Sequence, residues 1–138
     1  PFLAHTTMEP VNCTVEVRKD GCDIWVGTQV MGRAQAVAAA LTDLPPEKII
    51  VHNHMLGGGF GRRLEVDFIA KAVEIAKQVE GPVKLIWSRE EDIQHDFYRP
   101  AVVGRYKAAL ADGGAPSAWV SKFNINDAAA LVPYAIEH

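Results

Sequence analysis

Lys48-Ile49-Ile50-Val51-His52-Asn53-His54-Met55-Leu56 runs into Gly57-Gly58-Gly59-Phe60-Gly61, and that into Arg62-Arg63-Leu64. The first segment is apolar enough for a buried strand over 48–56. After the glycines, Leu64, Phe68, Ala72, Ile75, Ala76 and Val79 recur at helical spacing, and Gly81-Pro82 gives a stop, so a helix is expected over 64–79. A strand, a glycine turn and a helix in succession make the centre of a two-layer α/β arrangement.

The flanks extend this unit. Upstream, Val11, Cys13, Val15 and Val17 alternate with polar residues, and Ile24, Val26 and Thr28 do so again after Asp20-Gly21. Asp-Gly is a type I′ hairpin signal. With it as a two-residue loop, Val15 is expected opposite Val26, Val17 opposite Ile24, and Cys13 opposite Thr28, far from Cys22. No disulfide is then within reach, and the two thiols read as small buried hydrophobes. Residues 30–41 read as a helix, closed by Leu44-Pro45-Pro46. Downstream, 83–87 reads as a short strand. Ser88-Arg89-Glu90-Glu91 has the spacing of a capping box, so a helical turn is expected to start there. Residues 101–110 and 117–125 form a second hairpin through Asp112-Gly113-Gly114. The expected fold class is α+β: a two-layer domain with a mixed β-sheet and two helices on one side, order ββαβαβββ.

Composition narrows the function. At 138 residues, 49% hydrophobic and 22% charged, the chain has the makings of one globular domain, residues 1–138. Fourteen Lys+Arg against seventeen Asp+Glu leave a net charge of −3, so no global field favours nucleic acid. No apolar run is long enough to span a bilayer, so direct membrane insertion is not expected. Two cysteines cannot supply an iron–sulfur cluster with four ligands. The opening on Pro1 and the apolar close at 128–138 suggest an internal piece of a longer protein.

The glycine loop is where chemistry is expected. Glycines allow positive φ and close approach to a ligand, the following helix offers free N–H groups, and Arg62 and Arg63 add charge. A phosphate-binding turn follows from these features, and so does a plain tight turn. The Walker A pattern fails, because five residues after Gly57 or Gly58, where its second glycine belongs, stand Arg62 and Arg63. The dinucleotide fingerprint fails too, with Arg62 at the last glycine position. His52 and His54, at i and i+2 of a strand, read as sheet histidines rather than metal ligands, and no metal site is expected. His5 and His95 have no evident partners.

Gly57-Gly58-Gly59-Phe60-Gly61 resembles the GGGFG loop of the molybdenum hydroxylases, the xanthine dehydrogenase and aldehyde oxidase family. Four more segments resemble that family in the same order: Met8-Glu9-Pro10-Val11-Asn12, Trp25-Val26-Gly27-Thr28-Gln29, Ser88-Arg89-Glu90-Glu91-Asp92 and Arg105-Tyr106-Lys107. With His5-Thr6-Thr7-Met8-Glu9-Pro10 and Phe97-Tyr98-Arg99-Pro100, the chain looks most like the large subunit (beta subunit) of isoquinoline 1-oxidoreductase-type bacterial aldehyde and N-heterocycle dehydrogenases.

The resemblance implies a cofactor-binding set of Gln29, Gly58, Gly59, Phe60, Gly61 and Arg62. Gln29 matches the glutamine whose amide approaches the apical oxygen of the molybdenum centre. Phe60 and Gly61 match the loop passing beneath that centre, and Gly58 and Gly59 allow the approach. A β-branched residue at Gly59 is expected to fail because the position needs positive φ. The family acid after the loop is replaced here by Leu64, so Glu65 reads only as a first-turn helix residue.

The resemblance further implies molybdopterin, in the cytosine dinucleotide form, with Mo in the full protein, and [2Fe–2S] clusters on a small iron–sulfur partner subunit. Other partners implied are the rest of the large subunit and, in some members, a cytochrome c subunit. A periplasmic or membrane-associated complex is expected, with the cytoplasm as the alternative. The family's catalytic glutamate has no match in these residues, so no catalytic residue is assigned here and the chain alone is expected to be inactive. The readings left beside this one are a free-standing phosphate- or nucleotide-binding module and a non-catalytic structural domain.

Overall fold

The computed structural model describes residues 3–99 and 101–125. Pro100 and the apolar run at 128–138 lie outside the described residues. The chain divides into two compact units, one of residues 4–97 and one of residues from 98 onward with the first three.

The larger unit contains β1 (Asn12–Val17), β2 (Cys22–Val26), α1 (Met31–Thr42), β3 (Ile49–Asn53), α2 (Asp67–Ala76), β4 (Val83–Ile86) and α3 (Arg89–Gln94). Its sheet has the order β3-β2-β1-β4. β1 is antiparallel to β2 and β4, and β2 is parallel to β3. Three strands therefore run one way and β1 alone runs back, which is the mixed sheet expected. α1 and α2 pack on one face. The alternate residues Val11, Cys13, Val15 and Cys22, Ile24, Val26 are buried beneath Ala34 and Ala38 of α1 and Phe68, Ile69, Ala72, Val73 and Ala76 of α2. Each large apolar side chain buried this way contributes about 1.5–3 kcal/mol.

Three elements differ in detail from the sequence reading. In the first hairpin Val15 pairs with Ile24 and Val17 with Cys22, two residues away from the expected register. Neither Asp20 nor Gly21 takes the positive φ of a type I′ turn. The loop is instead closed by the Arg18 amide donating to Gly21 O at 2.8 Å, and the Arg18 side chain clasps Glu16 and Asp23. A shift of two keeps every side chain on its face, so the core survives. Cys13 and Cys22 are both free and buried.

β3 ends at Asn53, whose side-chain oxygen accepts the Thr28 amide at 3.0 Å, rather than at Leu56. The second helix starts at Asp67, not Leu64. Residues Arg62–Leu64 form a 3₁₀ turn, and Glu65 is extended. Adjacent residues lie about 100° apart on an α-helix, so a break here lets Arg62 and Arg63 both turn inward. The helical turn starts where expected, with one half of the capping box in place: Ser88 Oγ accepts the Glu91 amide at 3.2 Å and starts α3, while the Glu91 carboxylate pairs with His95.

The smaller unit is an antiparallel pair, β5 (Val102–Leu110) and β6 (Pro116–Ile125). Tyr106 lies against Trp119 and Phe123 on the neighbouring strand, with ring centroids at 5.5 and 5.3 Å. No helix among the described residues is long and apolar enough to cross a membrane.

Candidate functional site

The strand directions bring the ends of β2, β3 and β4 and the start of β1 to one edge of the sheet. Segment 5–10, residues 27–30, loop 54–61 and residues 87–96 meet there. Glu9 joins two of these pieces. Its amide donates to Gly57 O at 3.1 Å, and its carboxylate accepts from the Gly57 amide at 2.7 Å, from Asn12 Nδ2 at 2.7 Å and from Arg63 at 3.3 Å. Burial pushes the Glu9 carboxyl up, but the Gly57 amide, the Asn12 amide and the Arg63 and Lys84 charges outweigh it and hold it below its ordinary value. The Glu9-Pro10-Val11-Asn12 motif is thus the anchor of the glycine loop. A Cβ at Gly57 would meet Glu9 Cβ at 2.6 Å, which explains a glycine there.

Gln29 holds the other end of the loop. Its Oε1 accepts the Gly61 amide at 3.2 Å. A backbone N–H only donates, so this bond orients the side-chain amide and leaves its NH₂ without a hydrogen-bond partner among the described residues. Gln29 is exposed, as expected for a residue off the core face. Gly58 and Gly61 have φ of +102° and +105°, but Gly59 does not share that conformation. The reason for glycine at 59 is therefore not the one expected from positive φ. A Cβ there would come within 2.6 Å of Gln29 Oε1, so the missing side chain makes room for the glutamine. Phe60 is exposed at φ 51°, and Thr6 in the facing segment has φ 46°. Such values in non-glycine residues cost about 1–3 kcal/mol and gather at functional sites.

The two arginines point into the protein. Arg62 is 2% exposed and grips the Asp67 carboxylate with two bonds of 2.8 and 3.0 Å, while its Nε lies 3.0 Å from Asp96. Burial pushes its pKa down, but the Asp67 bond and the Asp67, Asp96 and Asp92 charges prevail and raise it. Arg63 is wholly buried and bonds Glu9, with its guanidinium 5.8 Å from the Phe68 ring centroid. Burial lowers its pKa against the Glu9 and Asp92 charges. Both side chains brace the loop from behind.

Other residues fall in place around this edge. His5 Nδ1 lies 3.1 Å from the Asp96 carboxylate, and His95 pairs with Glu91 at 3.0 Å. Sequence reading found a partner for neither. His52 stacks on Trp25 and bonds Asp23 at 2.7 Å, as a sheet histidine does. His54 lies beyond the end of β3. Glu65 precedes α2 and lies 3.7 Å from Arg33 instead of occupying a first helical turn. That first turn holds Asp67.

Residues 1–135 match the family described as "Molybdopterin cofactor-binding domain". Over 112 residues the chain is 38% identical to isoquinoline 1-oxidoreductase subunit beta of Brevundimonas diminuta, covering 80% of this chain and 14% of that protein. It is 30% identical over 114 residues to xanthine dehydrogenase of Oryza sativa subsp. japonica, covering 80% of this chain and 8% of that protein. The aldehyde oxidoreductase from Desulfovibrio gigas superposes with a TM-score of 0.69 at 20% identity, over 90% of this chain and 14% of that one. At that identity the likeness is one of fold. The chain thus spans a small part of the proteins it resembles.

Proposed function

This chain belongs to the molybdopterin cofactor-binding domain family of the molybdenum hydroxylases, and from that premise we propose that its loop-bearing sheet edge forms one wall of the cofactor site in a larger oxidoreductase subunit. The observation that carries the proposal is the state of Gln29. Its carbonyl oxygen is used by Gly61, its side-chain amide has no other partner among the described residues, and the exposed residue stands beside a loop of four glycines and Phe60. A donor fixed in this way suits an electron-rich oxygen of a cofactor, and bare glycine backbone suits its close approach. The residues present therefore fit the group. When bound, molybdopterin with its metal supplies the redox chemistry.

Within this reading Gln29 donates to the cofactor, Gly59 makes room for the Gln29 side chain, and Gly58 and Gly61 give the loop the left-handed turns that present its backbone. Phe60 offers an exposed aromatic face, and Arg62 acts from behind by fixing the loop. The full protein oxidises aldehydes or hydroxylates N-heterocycles with water-derived oxygen, and residues outside this chain supply the catalytic base. The cofactor is the cytosine dinucleotide form. Electrons leave through a [2Fe–2S] subunit and, in a cytochrome-linked complex, a cytochrome c. A periplasmic or membrane-associated site suits such a complex. The inward turn of both arginines disfavours a free-standing phosphate module, whose loop would need that charge facing the ligand.

Gly59→Val in the full-length enzyme tests the reading. The valine displaces Gln29, and molybdenum bound per folded protein is expected to fall about tenfold or more. Molybdenum content and turnover equal to wild type would overturn it.

A further inference from the structure

Asp96 reaches both flanks of Gly61. On one side its carboxylate is 3.0 Å from Nε of Arg62, the next residue in the chain. On the other it accepts the His5 backbone amide and lies 3.1 and 3.2 Å from His5 Nδ1. The side chains of His5 and Asp96 are only 9% and 1% exposed. A carboxylate at Nδ1 fixes the ring's orientation and, in the neutral imidazole, draws the proton to that nitrogen. The opposite edge of the ring then faces the loop: a Cβ on Gly61 would sit 3.2 Å from His5 Nε2 and 3.6 Å from Cδ2. Gly61 is the residue whose amide orients Gln29. His5 is followed by Thr6 in a left-handed conformation and by the buried Thr7, so the backbone around it is strained yet held.

We propose that His5 is a positioning residue for the glycine loop: Asp96 orients its imidazole, the Nε2 edge props Gly61, and Gly61 in turn keeps the Gln29 amide aimed out of the loop. The inference rests on the reading of the loop as a cofactor wall. It differs from a purely structural tie, in which only the Nδ1–Asp96 bond matters.

Two near-isosteres separate the roles in the full-length enzyme. Asparagine at this position places an amide nitrogen where Nδ1 was, and is too short to touch Gly61. Glutamine places one where Nε2 was, and gives up the Asp96 bond. Molybdenum per folded protein and the thermal midpoint are measured for both. His5→Asn is expected to melt close to wild type yet lose about tenfold of its bound molybdenum, and His5→Gln to recover most of it. If His5→Asn does not fold, His5→Gln is read alone, with retained molybdenum in support and loss against. The proposal is overturned if His5→Asn binds wild-type molybdenum, if His5→Gln does no better than His5→Asn, or if neither variant folds. Gly59→Val measured alongside tells two failures apart. If it too keeps its molybdenum, the cofactor reading falls; if it alone loses molybdenum, only the role of His5 does.

Discussion

Glu9 shows how much one side chain in this protein is asked to do. It ties the first strand's approach to the glycine loop and gives Arg63 its carboxylate partner. Arg63 also has Nε and one terminal nitrogen buried without a hydrogen bond among the described residues, so losing Glu9 would leave it worse served. Glu9→Gln is expected to lower unfolding stability at neutral pH by about 1–3 kcal/mol in urea titrations. The folded carboxyl is held below its unfolded value, so its contribution is fully present above the ordinary carboxylate range and fades as pH falls through the lower folded value. The stability gap between wild type and Glu9→Gln should therefore close in acid, and a gap constant from neutral pH to pH 3 would contradict the assignment. At this scale the sequence was only partly legible. The exposure of Gln29 followed from strand alternation. The Gly57 and Arg63 partners of Glu9 did not, because they sit 48 and 54 positions away. Arg62 and Arg63 read as charge for a bound anion, because Asp96 and Glu9, which help hold them inward, lie far away in sequence.

Elements were easier to read than contacts. Period-two alternation located β1 and β2, and the helical repeat of Phe68, Ala72 and Ala76 located the buried face of α2. What misled was local turn chemistry. Asp20-Gly21 is a strong hairpin signal, yet the ion pairs of Arg18 accompany a longer loop. At the start of α2 the apolar period ran back to Leu64, while the buried arginines moved the boundary to Asp67. The neighbour relation of β1 and β4, which brings residue 87 near residue 11, has no local signature at all. Two substitutions weigh these elements. Phe68 is fully buried beneath both guanidinium groups, so Phe68→Ala should cost about 3–5 kcal/mol by denaturant unfolding. Ser88→Ala removes one cap at the start of α3 and should cost about 1 kcal/mol by the same measurement.

At the scale of the molecule, the sheet order gathers at one edge the segments proposed above as one wall of a cofactor site. The relatives are far longer than this chain, which covers 14% of one and 8% of another. The isolated 138-residue chain is accordingly expected to fold yet to hold no stoichiometric molybdenum, which metal analysis of the purified chain would check. Its folding can be followed through Cys13 and Cys22, whose thiols burial pushes up to about 12 and about 11. Neither should react with a disulfide reagent at neutral pH until the core opens, so labelling should track global unfolding. Prompt labelling of the native chain would mean that the core is loose.

The pairing of His5 with Asp96 spans 91 positions of sequence. The loop most readily recognised in this family therefore has its shape dictated by residues at nearly opposite ends of the larger unit. Transplanting residues 56–63 onto another strand–helix junction would carry the glycines and leave the conformation behind. A designer wishing to reuse this loop would have to move Glu9, Gln29 and the histidine–aspartate pair with it, which amounts to moving the sheet.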